Sequence, residues 1–322
     1  MVGRVTEQTV DDVVRQVRDA LTPEKVAQLD EIAGRMVDGE AQFRAFLHAI
    51  RGRSTATFYV NTSKLKQSSN GVTLSVRVSG VECGEVMLTK RRRERMFAPK
   101  HIEQHFTGCW TTSKTRLPWE HPEVRRYLQR ASEMATALEG DLADRECGVE
   151  AALIQELRDG NLRHNAPILF PTKSGVPYQF PVPITARGGV RAAGGRHAGH
   201  IDILARHGKG RTSRLRVLEV KKPDADDAAH ALDQAVAYAA ALDALLGRSS
   251  KYRMLCGYPQ YPPKLEATAV VADDDAIRRD IAAARERLAK RGGSLDVQLS
   301  ALFYQWENAP GGRRLRIAHQ IG

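Results

Sequence analysis

The stretch RLRVLEVKKP, residues 214–223, limits the fold more than any other part of the chain. It is apolar enough for an interior strand, yet it carries Glu219 and Lys221. Side chains alternate along a strand, so Glu219 and Lys221 share one face while Leu218 and Val220 share the other. A carboxylate and an ammonium are costly to bury unless each compensates the other or a metal ion compensates them. The preceding strand, GHIDILARH, repeats the anomaly, because Asp202 stands between Ile201 and Ile203. A hairpin through the polar turn GKGRTS would bring Asp202 and Glu219 to one edge. Two convergent carboxylates and the Val220 carbonyl are hard oxygen ligands suited to Mg2+. A neighbouring lysine can orient an attacking water and stabilise charge on a phosphoryl group.

The segments around this hairpin alternate in period. An Ala-rich helix follows from about Asp226 to Leu246. Strands YRMLCGYP and LEATAVVA, the helix DDDAIRRDIAAARERLAKR and strands LDVQLSALFYQW and RRLRIAHQ come next. That order describes an α/β unit with a mixed sheet flanked by helices. Ahead of the hairpin lie a short amphipathic helix, GVEAALIQEL, and an irregular tract with Pro167, Pro171, Pro177, Pro181 and Pro183. Within that tract PYQFPVPI reads as an edge strand, since proline removes ladder donors. The Gly/Arg-rich loop ARGGVRAAGGRHAG lacks the GK[ST] of a phosphate-binding loop.

Residues 1–140 read as a separate α+β accessory domain, with 141–322 as the second domain. Val10, Val13, Val14, Val17 and Leu21 line one helical face; Thr22 and Pro23 open a second helix, and AQFRAFLHAI forms a third. TATFYV, GVTLSVRV and GEVMLT then suggest three antiparallel strands, and HPEVRRYLQRASEMATAL a helix. Phe58, Tyr59 and Trp110 are read as core, and His200 as a turn residue beside the Asp202 strand.

Charge bears on the partner. The formal net charge is +11, and a basic balance favours polyanions. Residues 51–100 hold eleven Lys/Arg against three Asp/Glu. Arg91, Arg92, Arg93 and Arg95 in that segment, and Arg196 in the Gly/Arg loop, are the candidate phosphate-backbone contacts. Cys83, Cys109, Cys147 and Cys256 are scattered without a CxxC pair, which argues against structural zinc and a disulfide framework. No apolar run reaches the roughly 18–20 residues of a membrane span, and the first residues lack a signal-peptide core. A cytoplasmic protein with no membrane partner is expected.

Asp202, sixteen residues, then Glu219-Val220-Lys221 resembles the motif of the PD-(D/E)XK nuclease superfamily. On the Ala-rich helix, His230, Gln234 and Tyr238 fall four residues apart on one polar stripe. Gln234 and Tyr238 resemble the QxxxY element of the superfamily's RecB-like branch; LEVKKP followed by QxxxY is also similar to Shedu-type nuclease domains. The resemblance covers about residues 145–260, interrupted by the long Pro-rich tract. The family places a carboxylate on its first core helix, where GVEAALIQEL offers Glu150 and Glu156. Glu150 lies inside the arc of Leu153, Ile154 and Leu157, and is preferred. The resemblance implies a restriction-endonuclease-like core and Mg2+-dependent hydrolysis of DNA phosphodiesters, with Mn2+ as a substitute and a role in phage defence or DNA repair. Asp202, Glu219 and Glu150 would hold the metal, Lys221 would position the water, and Gln234 and Tyr238 would brace the site or the strand. DNA is the expected partner; a homo-oligomer is compatible, and the accessory domain would select substrate, protein partner or trigger, with the identity of any protein partner left open. The alternatives are a catalytically silent nucleic-acid-binding core and an RNA-cleaving effector.

Overall fold

The computed structural model describes residues 56–60, 71–78, 80–89, 95–97, 116–137, 143–159, 162–164, 166–169, 180–182, 199–208, 213–225, 228–260, 263–290, 296–309 and 312–321, with short helical stretches between 14 and 46. The architecture is mixed α/β, with one antiparallel and one mixed sheet as its main layers and a two-stranded ribbon beside them.

The antiparallel sheet runs in chain order through β1 (Thr57–Val60), β2 (Gly71–Val78), β3 (Val81–Thr89), β4 (Arg95–Phe97) and β5 (Leu117–Pro118). Leu74, Val76 and Val78 alternate along β2 into the core, as period two requires. Helix α1 (Pro122–Ala137) has Pro122 in its first turn and buries Val124, Tyr127 and Ala131 at helical spacing against β2 and β3. Phe46, Phe58 and Trp119 meet edge to face beside it.

The mixed sheet has seven strands in the order β14-β13-β12-β11-β10-β7-β6. These are β6 (Arg163–His164), β7 (Ala166–Leu169), β10 (Ile203–His207), β11 (Arg214–Val220), β12 (Lys264–Ala272), β13 (Val297–Ala309) and β14 (Gly312–Ile321). Strands β11, β12 and β13 are parallel neighbours, and the remaining pairings are antiparallel. Parallel neighbours need crossovers. Helix α3 (Ala231–Arg248) lies between β11 and β12 in sequence, and α5 (Asp275–Lys290) lies between β12 and β13. The small buried side chains of Ala235, Ala239 and Ala241 let α3 lie close on the sheet.

Helix α2 (Glu146–Asp159) covers the other face, packing on β14, β11 and β7. Leu215 and Val217 belong to the core cluster that contains α3, whereas Leu218 and Val220 belong to the cluster of Val149, Leu153, Ile154 and Leu157 from α2. Glu219 and Lys221 therefore fall on the α3 side by strand alternation.

Two expectations are corrected. YRMLCGYP is not a strand: α4 (Ser250–Leu255) and a turn occupy it. Ser249 caps that helix by accepting from the Tyr252 N–H, and Tyr252, Leu255 and Cys256 are buried at helical rather than alternating spacing. GHIDILARH is not one strand either. β9 (Gly199–Ile201) pairs with β8 (Phe180–Val182), β10 pairs with β11 and β7, and Asp202 sits at the break between them.

The N-terminal part is fastened to the elements around the mixed sheet. Arg248 Nη1 donates to Leu21 O at 2.7 Å, and Ser249 Oγ donates to Asp30. At the β2–β3 turn, Gly80 has φ 84°, and a Cβ there would lie 2.1 Å from Cys147 O on α2. Only glycine permits both that backbone conformation and that approach.

Candidate active site

The site is built where β10, β11, α3 and α2 meet. Register pairs Ile203 with Leu218, so Asp202 follows opposite Glu219 at the end of the hairpin. The break at Asp202 frees its side chain to turn back on the neighbouring strand, and Oδ2 accepts from the Val220 N–H at 2.9 Å. Lys221 continues the parallel ladder through its N–H to Val270 O at 2.9 Å. Its Nζ donates to Glu219 Oε1 at 2.8 Å and to Gln234 Oε1 at 3.1 Å. Gln234 Nε2 donates to the Tyr238 hydroxyl at 3.0 Å. Glu219, Lys221, Gln234 and Tyr238 thus form one buried hydrogen-bonded line. Each amide end of Gln234 has the partner its chemistry requires.

The carboxylates carry more negative charge than their surroundings neutralise. Burial pushes the Glu219 carboxyl up to about 7, against the opposing pull of the Lys221 ammonium. Burial, then the charges of Glu219 and Glu150, push Asp202 well above the usual carboxylate range, although the Val220 N–H works the other way. Glu219 Oε2 is buried without a donor among the described residues. Its contact with Asp202 becomes a hydrogen bond only if one of the two carboxyls carries a proton. A proton or a cation is what this pair lacks.

The same strand supplies a contrast. Arg216 and Glu266 are ladder partners and are fully buried, with Arg216 Nη2 donating to Glu266. Burial alone would raise the Glu266 carboxyl, but the charge and hydrogen bond of Arg216, with a bond from His207, bring it below the ordinary value. That pair has the signature of a structural ion pair. Glu219 and Asp202 shift in the opposite direction, because burial outweighs the single ammonium of Lys221 at Glu219 and the Val220 N–H at Asp202.

Helix α2 contributes from the other side. Glu150 is buried and raises Asp202 by its charge; its Oε2 lies 3.4 Å from Arg77 Nη1 on β2. Glu156 is gripped by Arg314, with Nε to Oε1 at 2.8 Å and Nη2 to Oε2 at 3.0 Å, and is thereby tied to β14. Of the two candidates only Glu150 acts on Asp202. His230 does not join the line. It ends a short 3-10 turn, Ala228–His230, with a 62% exposed side chain 3.6 Å from Asp233. A 3-10 turn advances about 120° per residue, so the four-residue stripe does not extend back to it.

Three neighbours escaped the sequence reading. Glu146 lies one helical turn before Glu150, and its charge raises Asp202, Glu219 and Tyr238. Its spacing was a usable signal. Arg77, a cation in the apolar strand GVTLSVRV, was another. Tyr304 on β13 donates to the Lys221 carbonyl at 2.9 Å, a contact across 83 residues that no local pattern announces.

Among the described residues no three His, Cys, Asp or Glu side chains form a ready metal cage. The residues fit an ion that takes few protein ligands. Mg2+ is commonly held by one or two carboxylates, its remaining positions filled by water and substrate phosphate. Asp202 and Glu219, with the donorless Glu219 Oε2, match that requirement. Arg95 is exposed on β4. Arg91, Arg92, Arg93, Arg196, Cys109, Trp110 and the side chain of His200 lie outside the described residues. Among the described residues no helix is long and apolar enough to cross a membrane. No protein-family model matches the chain, and neither the curated proteins nor the solved structures give a match.

Proposed function

We propose that this chain is a Mg2+-dependent nuclease of the PD-(D/E)XK type, hydrolysing DNA phosphodiester bonds on a restriction-endonuclease-like core. The observation that carries the reading is the buried line Glu219–Lys221–Gln234–Tyr238 beside a cation-deficient Asp202. Four side chains from a strand and a helix are ordered around a charge that the fold itself leaves uncompensated. The delivery of Asp202 and Glu219 by a hairpin, and of Gln234 and Tyr238 by the following crossover helix, supports the core assignment.

Bound Mg2+ would supply Lewis-acid polarisation of the phosphoryl group and a more acidic water. Asp202 and Glu219 would hold it, with Glu150 and Glu146 adding negative field from α2. Lys221 is fixed between Glu219 and Gln234, so its ammonium enters the site in one orientation. There it would orient the attacking water and donate to developing phosphate charge. Gln234 acts through Lys221. Tyr238 accepts from Gln234, and burial raises its hydroxyl above its ordinary value, so it keeps a proton to donate toward substrate.

The test is a Mg2+ and Mn2+ titration with supercoiled DNA and RNA side by side. The expected result is cleavage of DNA by the wild type, lost in Asp202→Ala and Glu219→Ala proteins that remain folded. Lys221→Ala should lower the rate at least about 100-fold, the usual scale of a lost positioning and proton-transfer group. Cleavage of RNA alone would transfer the activity to RNA. DNA binding without cutting by the wild type would leave a silent nucleic-acid-binding core.

A further inference from the structure

The proposed metal site borrows one residue from the antiparallel sheet. Arg77 reaches Glu150 Oε2 at 3.4 Å, and its guanidinium carbon stands 4.1 Å from the centre of the Tyr59 ring. The Gly80 turn seats this hairpin on α2, and so sets where β2 meets the helix that carries Glu150. The ion pair is a single long contact. On the same helix Glu156 is held by two short bonds from Arg314, the two-pronged geometry expected of a settled arginine–carboxylate pair. Arg77 Nε, also buried, has no partner among the described residues. Arg77 is therefore loosely committed to Glu150, while the charge of Glu150 already bears on Asp202.

We propose that Arg77 and a divalent cation are alternative counter-ions for the Glu150 carboxylate, so that loading the metal site displaces the arginine of the antiparallel sheet. The inference rests on the metal-site reading above. A cation held by Asp202 and Glu219 repels the guanidinium and competes for the same carboxylate. The face of Tyr59 gives Arg77 a place to remain, because a desolvated cation–π contact persists when the ion pair is lost. Binding linkage makes the effect reciprocal: whatever draws β2 and Arg77 away from α2 strengthens metal binding by the same factor.

Calorimetric titration of Mn2+ into the full chain tests this in five proteins: wild type, Arg77→Gln, Glu150→Gln, their double variant, and Asp202→Asn as the control for the metal site. Arg77→Gln should bind Mn2+ about tenfold tighter, equivalent to about 1.4 kcal/mol. In the Glu150→Gln background the same substitution should change affinity by about twofold or less, because the contested carboxylate is gone. Arg77→Met, which keeps the buried stem, is read in the same way if the glutamine variant does not fold. Equal or weaker Mn2+ binding by the Arg77 variants overturns the competition. So does an undiminished gain in the Glu150→Gln background, which would mean that Arg77 acts as a distant charge. Binding abolished by Asp202→Asn yet unchanged at Arg77 overturns the competition alone. No Mn2+ binding in the wild type and in both Arg77 variants overturns the metal site and the competition together.

Discussion

Glu219 and Lys221 stand out in the sequence because strand alternation puts two charges on one buried face. The protonation of Glu219 does not. It is set by burial first and then, besides Lys221, by Glu146 on α2 and Asp202 at the β9–β10 break, 73 and 17 positions away in the chain. The consequence can be measured. A carboxyl whose folded value is raised contributes stability that is fully present below its unfolded value and lost as pH rises through its folded value. For Glu219 that window runs from its ordinary 4.5 to about 7. The metal-free wild type should therefore lose stability across this range, on the order of 3 kcal/mol from this group alone. Glu219→Gln mimics the protonated form. In EDTA it should melt above the wild type at pH 8 and close to it near pH 4.5. Adding Mg2+ at pH 8 should raise the wild-type Tm and leave that of Glu219→Gln unmoved. A Tm difference between the two proteins that stays constant from pH 4.5 to 8 would show that Glu219 does not titrate as a buried carboxyl.

At the level of elements, the strands β2, β3, β12, β13 and β14 and the helices α1, α2, α3 and α5 follow from local pattern, since each has a covered face and a consistent period. The misread pieces are those whose partner is remote. α4 is fixed by a cap and by Asp30 rather than by its own propensity, and the break at Asp202 exists because β9 and β10 pair with different neighbours. The docking of β2–β3 on α2 is equally invisible in the sequence, although Gly80 is its requirement. A Cβ there would lie 2.1 Å from Cys147 O and 2.7 Å from Cys147 C, on a backbone with φ 84°. Gly80→Ala must lift the hairpin from α2 or distort both. The expected cost is about 3 kcal/mol or more, the range of strained backbone combined with a packed clash. Urea unfolding should show a clearly lower midpoint, with Mn2+ affinity altered as Arg77 moves from Glu150. An unchanged midpoint would mean that this hairpin does not rest on α2.

At the scale of the whole molecule, the sequence reads as two domains meeting near residue 140, and side chains from both sides of that boundary pack into shared buried clusters. Val14, Val17, Leu21, Phe46, Phe58, Leu74 and Val76 belong to the same buried cluster as Leu232, Val236, Leu242 and Leu246 of α3. Tyr59 of β1 belongs to the second cluster, with Val149 and Leu153 of α2. Polar ties repeat the join: Arg248 to Leu21, Ser249 to Asp30, and Arg77 to Glu150. Separating the halves would bare apolar faces on α2, α3 and α4 at once. A buried aliphatic or aromatic side chain contributes about 1.5–3 kcal/mol. Losing several therefore approaches the whole net stability of a domain, about 5–15 kcal/mol. Residues 141–322 expressed alone should accordingly bind a hydrophobic dye and unfold without a cooperative transition. Co-expression with residues 1–140 should restore both solubility and a sharp melt. The polar ties are too few to give this result by themselves, since a net hydrogen bond contributes about 0.5–1.5 kcal/mol. A 141–322 fragment that melts cooperatively within a few degrees of the full chain would mean that the shared core is an incidental contact. The antiparallel sheet would then be a detachable recognition module, and Arg77 would reach the site only when that module is docked.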